Sequence, residues 1–137
     1  MSLVVDSSVA VKWFFDEPLA ANARRLLDNP DQLIAPDLLV AELANAAWKK
    51  LARGQITYEQ GQSAVASVTR GLAEVVASDA LAKEAWSFSV RLDHPAYDCF
   101  YLALAETRSI GFVTDDGRLL AVARKAGMKQ VIPLAEI

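Results

Sequence analysis

Five short runs rich in apolar residues punctuate this 137-residue chain, and a helix-length pattern separates each from the next. The runs at 3–6, 32–35, 74–77, 110–114 and 130–133 are too short for ordinary helices and read as strands. Strands divided by helices cannot meet through tight hairpins, so they pair in parallel through crossovers. The fold class expected is α/β: one three-layer α/β/α domain over 1–137 with a mainly parallel central sheet. Helices are expected over 9–15, with Ser7 or Ser8 as cap, over 19–28 after Pro18, and from Pro36–Asp37 to Arg53, where Gly54 stops the turn. Thr57-Tyr-Glu-Gln60 has the spacing of a capping box, and an approximate helical period follows to Leu72. Three more helices are expected over 80–92 behind Ser78, over 95–108, and over 116–126.

Composition narrows the chemistry. Hydrophobic residues make up 53% of the chain, which argues against disorder, and no apolar run approaches the roughly 20 residues a bilayer requires. The start, MSLVVD, lacks the basic segment of a secretory signal. Cys99 is the only cysteine, so no internal disulfide forms and a reducing cytoplasm is the expected setting. His94 is the only histidine, which argues against a His-rich zinc site and leaves one imidazole for any Ser/His/Asp triad. The net charge of −3 argues weakly against nucleic-acid binding. Setting aside four of the 17 acids as a metal site leaves 13 against 14 Lys and Arg, a balance of +1, so charge does not decide.

The acids themselves are more informative. Asp6, Glu42, Asp98 and the Asp115–Asp116 pair stand inside or at the ends of apolar segments. A buried, unpaired carboxylate costs several kcal/mol, and a hard divalent cation met by oxygen ligands is one common answer: Mg²⁺, or Mn²⁺ in its place. Asp6 reads either as an N-cap or as a ligand at the carboxyl end of a parallel strand, where such sheets bind ligands. Ser8 reads as a helix cap or as a partner of Asp6. Glu42 is either a solvated glutamate near a positive helix terminus or a ligand, and Asn45 shares its face. Asp98 opens a helix apolar almost all round, where Asp93 or His94 suits the cap better, so Asp98 reads as a ligand. Asp116 is the ligand candidate of its pair, Asp115 a turn residue, and Thr114 either ends its strand or holds a water.

The segments VVDSSVAVKWFFDEP, PDLLVAELANAAWK, YDCFYLALAE and FVTDDGRLLAVARKAG, in that order, span nearly the whole chain. Together they resemble the PIN-domain nucleases, most closely the VapC toxins of bacterial toxin–antitoxin pairs. The resemblance implies a five-stranded parallel sheet with its first and fourth strands adjacent. It implies an acidic cluster of Asp6, Glu42, Asp98 and Asp116 holding Mg²⁺, with Thr114 and Leu119 in the family's T-x-D-x-x-L pattern and Asp115 in the variable place. It further implies hydrolysis of RNA by a metal-activated water, a homodimer, and silencing by a VapB-type antitoxin, through which alone DNA is met; no membrane is involved. For RNA contact the candidates are Lys12, Lys49, Lys50 and Arg53, which serve equally as solubilising charge. Trp13, Trp48 and Trp86 read as core or interface residues before base platforms, and Val11, Trp13, Phe14 and Phe15 as core before docking surface. Two rivals stand beside this reading. A haloacid-dehalogenase-like phosphatase wants an aspartate where Ser8 stands, and a non-catalytic PIN-like binding module has no need of four acids.

Overall fold

Strand β1 (Ser2–Val5) lies between β2 (Gln32–Pro36) and β4 (Gly111–Thr114), with β3 (Glu74–Val76) and β5 (Val131–Pro133) at the edges. All four pairings are parallel, in the order β3-β2-β1-β4-β5. The structure, a computed structural model, describes residues 1–29 and 32–137. The chain winds outward from β1 through β2 to β3, then returns to β4 beside β1 and continues to β5. The gap between the carboxyl ends of β1 and β4 is therefore the topological switch point, the place where open α/β sheets take ligands.

Helices α1 (Ser7–Ala10), α2 (Ala20–Asp28), α3 (Leu38–Ala52), α4 (Tyr58–Ser67), α5 (Ala82–Leu92), α6 (Ala96–Arg108) and α7 (Gly117–Lys125) complete the layers. Helix α6 packs across β1, β2 and β4 and buries Cys99, Tyr101, Leu102, Ala103, Leu104 and Ala105. Leucine and alanine are strong helix formers, and each fully buried leucine contributes about 1.5–3 kcal/mol. The core beneath is Val4, Val5, Leu39, Leu43, Phe112 and Leu119, all fully buried. Gly54 ends the α3 segment at φ 70°, a left-handed conformation that favours glycine. The capping box forms as its spacing indicated: Gln60 N donates to Thr57 Oγ1 at 3.1 Å and Thr57 N to Gln60 Oε1 at 2.8 Å. No helix among the described residues is long and apolar enough to cross a membrane.

Local boundaries depart from the sequence reading for identifiable reasons. The first helix starts at Ser7 because Asp6, and not a serine, caps it; it tightens into a 3₁₀ turn at Val11–Trp13. The period reaching Leu72 breaks after Ser67, where a 3₁₀ turn (Val68–Gly71) leads into extended backbone. Ser78 does not cap α5: its backbone N–H and hydroxyl both go to Asp37, pinning the β3 exit to the start of α3. Asp93 adopts φ 49° at the end of α5, and Pro95 opens α6 without a side-chain cap.

Candidate active site

The register of β1 against β4 builds the first half of the site. Val5 pairs with Val113, so the next residues, Asp6 and Thr114, emerge side by side at the switch point. Asp6 is only 4% exposed. Its Oδ1 accepts from Ser8 Oγ at 2.5 Å and Val9 N at 3.3 Å, and its Oδ2 from Thr114 Oγ1 at 2.6 Å. Asp6 is thus the helix cap, one of its two readings in the sequence, and its carboxylate lies at the switch point. Burial pushes its pKa up to about 7 despite these three hydrogen bonds, and neighbouring Asp116 adds to the rise.

The two hydroxyls also fasten the opposite loop. Asp115 N donates to Ser8 Oγ at 3.0 Å and Asp116 N to Thr114 Oγ1 at 3.0 Å. Asp116 Oδ1 caps α7, accepting from Arg118 N at 3.0 Å and Leu119 N at 3.2 Å, while the Leu119 side chain is fully buried. The T-x-D-x-x-L pattern therefore has a physical sense: threonine ties strand end to strand end, aspartate starts the helix, and leucine anchors it.

Glu42 on α3 and Asp98 on α6 form the second half, and Tyr101 holds Glu42. Tyr101 is 1% exposed, stacks on Phe112 with ring centroids 6.1 Å apart, and donates its hydroxyl to Glu42 Oε1 at 2.5 Å. Burial, Glu42 and also Asp6 raise its pKa, against a hydrogen bond with Ser7, so the phenol is a neutral donor. Glu42 is held above the usual carboxylate range by burial, against the Tyr101 bond, with Asp98 adding to the rise. Asp98 Oδ2 lies 2.6 Å from Nε2 of the buried His94. Burial first and then Asp98 push the Cys99 thiol up to about 11, which keeps it from acting as a nucleophile.

Electrostatically the acids fall into two pairs, Asp116 acting on Asp6 and Asp98 on Glu42, and the charge of Asp6 also reaches Tyr101. Among the described residues no three His, Cys, Asp or Glu side chains converge closely enough to enclose an ion by themselves. The donor chemistry still suits Mg²⁺, which keeps much of its water and engages one or two carboxylates. Carboxylate oxygens offer about four acceptor sites, so Asp6 retains capacity beyond its present bonds, and Asp116 uses only Oδ1 in capping.

The basic candidates separate. Lys12 is buried, with Nζ 3.2 Å from both Glu17 Oε1 and Asp115 Oδ2, and Lys50 Nζ lies 2.8 Å from Glu17 Oε2. Burial raises the Glu17 pKa, but these two ammonium groups outweigh it and hold the carboxyl below its usual value. Lys12 and Lys50 are therefore internal counter-charges and not open phosphate contacts, whereas Lys49 and Arg53 are exposed. Asn45 is exposed on the same face of α3 as Glu42. Val11, Trp13 and Phe15 are core, Trp13 donating to Ala23 O at 3.0 Å; Trp48 and Trp86 are exposed. Sequence reasoning missed Tyr101 and the His94–Asp98 bond. The available signal was a tyrosine inside a buried helix, since a buried phenol needs an acceptor.

Comparison with known proteins agrees with this architecture. The PIN domain family model matches residues 3–125. No curated protein matches significantly. Among solved structures, a Pyrobaculum aerophilum protein superposes with a TM-score of 0.76 at 21% identity, covering 99% of this chain and 85% of that one. A toxin–antitoxin complex from Klebsiella pneumoniae superposes at 0.70, with 18% identity and coverage of 98% and 99%. The sarcin-ricin-loop-cleaving toxin VapC20 of Mycobacterium tuberculosis superposes at 0.68, with 19% identity and coverage of 87% and 93%. With a family match over most of its length and the same parallel sheet, the chain belongs to the PIN-domain family.

Proposed function

We propose that this chain, as a single PIN domain over 1–137, is a divalent-metal-dependent endoribonuclease acting in the cytoplasm as the toxin of a VapBC-type pair. The observation that carries the reading is Asp6: a buried carboxylate at the switch point, both oxygens held by hydroxyls, with Asp116 in its electrostatic neighbourhood. Such a group is expensive without a cation and well placed with one. Asp6, Glu42, Asp98 and Asp116 would hold Mg²⁺, with Mn²⁺ as substitute. When bound, the ion supplies a water of lowered pKa and offsets the charge that develops on the phosphoryl oxygens. The chain's own residues do the rest. Ser8 and Thr114 fix the plane of the Asp6 carboxylate, Tyr101 aims Glu42, and His94 steadies Asp98.

The partner assignments are proposals of the same kind. Structures of this fold from Klebsiella pneumoniae and Haemophilus influenzae are toxin–antitoxin and VapBC complexes, which supports a VapB-type antitoxin here. Exposed Trp48, Tyr58 and Trp86 leave aromatic surface for that partner or for a second copy of the chain. A non-catalytic binding module is the second reading, and the spacing of the acids favours it, since no three of them enclose an ion unaided. Purified protein with Mg²⁺, Mn²⁺ or EDTA, incubated with total cellular RNA beside Asp98→Asn, separates the two. Discrete metal-dependent fragments lost in the variant are expected. Intact RNA with folded, antitoxin-free, metal-loaded protein would exclude the nuclease on those substrates and leave the binding module.

A further inference from the structure

Lys12 is the only lysine or arginine that is buried among the described residues, its side chain 6% exposed. It stands in the 3₁₀ turn Val11–Trp13, on the segment that follows β1. Its Nζ lies 3.2 Å from Asp115 Oδ2 and 3.2 Å from Glu17 Oε1. The other oxygen of Glu17 meets Lys50 Nζ at 2.8 Å, and Lys50 lies on α3 about two turns past Glu42. The result is a chain of alternating charge, Asp115–Lys12–Glu17–Lys50. It runs from the turn that carries Asp116 to the helix that carries Glu42.

Asp115 is held at two points. Its N–H donates to Ser8 Oγ at 3.0 Å, the same hydroxyl that donates to Asp6 Oδ1, and its carboxylate meets Lys12. Both holds come from the segment after β1, and both grip the turn after β4. The next residue, Asp116, caps α7. Stability alone does not account for a lysine in this place. Taking an ammonium out of water is costly, and an apolar side chain of similar volume is often as stable or more so in place of a buried ion pair. What the charge adds is position: one hydrogen bond leaves a turn free to pivot, and a second contact on the same residue removes that freedom. We propose that Lys12 is a positioning residue of the acidic site, clamping the Asp115–Asp116 turn and so setting where Asp116 stands beside Asp6. Asp115 is then the handle of the clamp and not an ion ligand. The clamp itself needs no ion; its consequence for ion affinity rests on the metal-dependent nuclease reading.

The test uses the full chain, metal-free and then titrated with Mn²⁺. Lys12→Met keeps an unbranched stem and removes the charge; Glu17 retains Lys50, and Asp115, its side chain 30% exposed, turns to water. In EDTA, amide hydrogen exchange followed by NMR should quicken about tenfold at Asp115 and Asp116 and stay unchanged in α5. By calorimetry Mn²⁺ should bind Lys12→Met about tenfold more weakly, the lower end of what a partner behind a ligand carries. Plain charge repulsion predicts the opposite sign, since removing a cation beside acids should tighten Mn²⁺. Asp115→Asn should weaken Mn²⁺ equally, and the double variant no more than either alone. Unchanged exchange in the turn, Mn²⁺ bound by Lys12→Met as tightly as by wild type or more so, or additive losses in the double variant would each overturn the clamp. Should Lys12→Met not fold, Asp115→Asn makes the same cut outside the core, and unchanged exchange at Asp116 there overturns it. If wild type meanwhile binds Mn²⁺ and cuts total RNA, the nuclease reading survives and only the clamp falls. Wild type that neither binds Mn²⁺ nor cuts RNA would remove the nuclease reading and, with it, this role for Lys12.

Discussion

The two halves of the acidic neighbourhood are built differently. Asp6 sits at a strand end, 4% exposed, and takes a hydroxyl on each oxygen at 2.5 and 2.6 Å, from Ser8 and Thr114. Glu42 and Asp98 ride on separate helices, only partly buried, and the principal tether of each is one side chain: Tyr101 at 2.5 Å and His94 at 2.6 Å. Sheet register places the first half, so its geometry comes with the fold. The second half depends on contacts between side chains that the backbone does not dictate. The strand half is therefore desolvated and costly when charged, while the helix half is better solvated.

The largest consequence falls on Asp6. Its folded-state pKa is raised from 3.8 to about 7, so the folded protein holds a proton that the unfolded chain has already released. Stability is then highest below the unfolded pKa, falls as pH rises from about 4 to 7, and stays reduced above that. Asparagine caps helices as well as aspartate and carries no charge. Metal-free Asp6→Asn should therefore be more stable than wild type at pH 8 by up to about 4 kcal/mol, with the gap closing toward pH 4. Urea denaturation in EDTA across that range measures it. A gap that does not change with pH would show that the folded protein already compensates the Asp6 charge, and the contrast between the halves would go with it.

This contrast also marks what the sequence made legible. The five-strand alternation, the Thr57 capping box and the Gly54 stop are local signals, and the structure reproduces them. Asp6 and Thr114 stand 108 positions apart, yet both sit at the ends of apolar runs, so a parallel sheet that makes β1 and β4 neighbours brings them together. The Tyr101–Glu42 bond, 59 positions apart, has no such guide: it depends on how two helices are set against each other. The burial of Lys12 was hidden for a related reason. Lysine reads as a surface residue until Glu17, five residues on, and Asp115, from the turn after β4, close around its ammonium group.

Thr114→Val probes the strand half one step further. Valine keeps the shape and removes the hydroxyl that donates to Asp6 and accepts from Asp116 N. A hydrogen bond to a charged group contributes about 1.5–3 kcal/mol, so a loss of about 2 kcal/mol is expected at pH 8. Below the folded pKa of Asp6 the loss should shrink toward the value for a neutral pair, about 1 kcal/mol. Denaturation at pH 8 and pH 5 checks both. An equal loss at the two values would mean that Thr114 acts through the loop alone and not through the carboxylate.

Tyr101→Phe makes the matching cut in the helix half, and there the smallest stability change is expected. The ring still stacks on Phe112, and Glu42, partly solvated, replaces the lost donor with water. The cost should be about 1 kcal/mol, since little is left buried without a partner. The effect on ion binding should be larger than stability suggests, because outer partners that aim a ligand typically carry 10–100-fold in metal affinity. Titrating Mn²⁺ into wild type and Tyr101→Phe by calorimetry, alongside their melts, separates the two quantities. Weakened Mn²⁺ binding with a nearly unchanged melt identifies Tyr101 as the residue that aims Glu42. A melt lowered as far as in Thr114→Val, with Mn²⁺ binding unchanged, would make the phenol a structural strut and show the helix half to be as tightly set as the strand half.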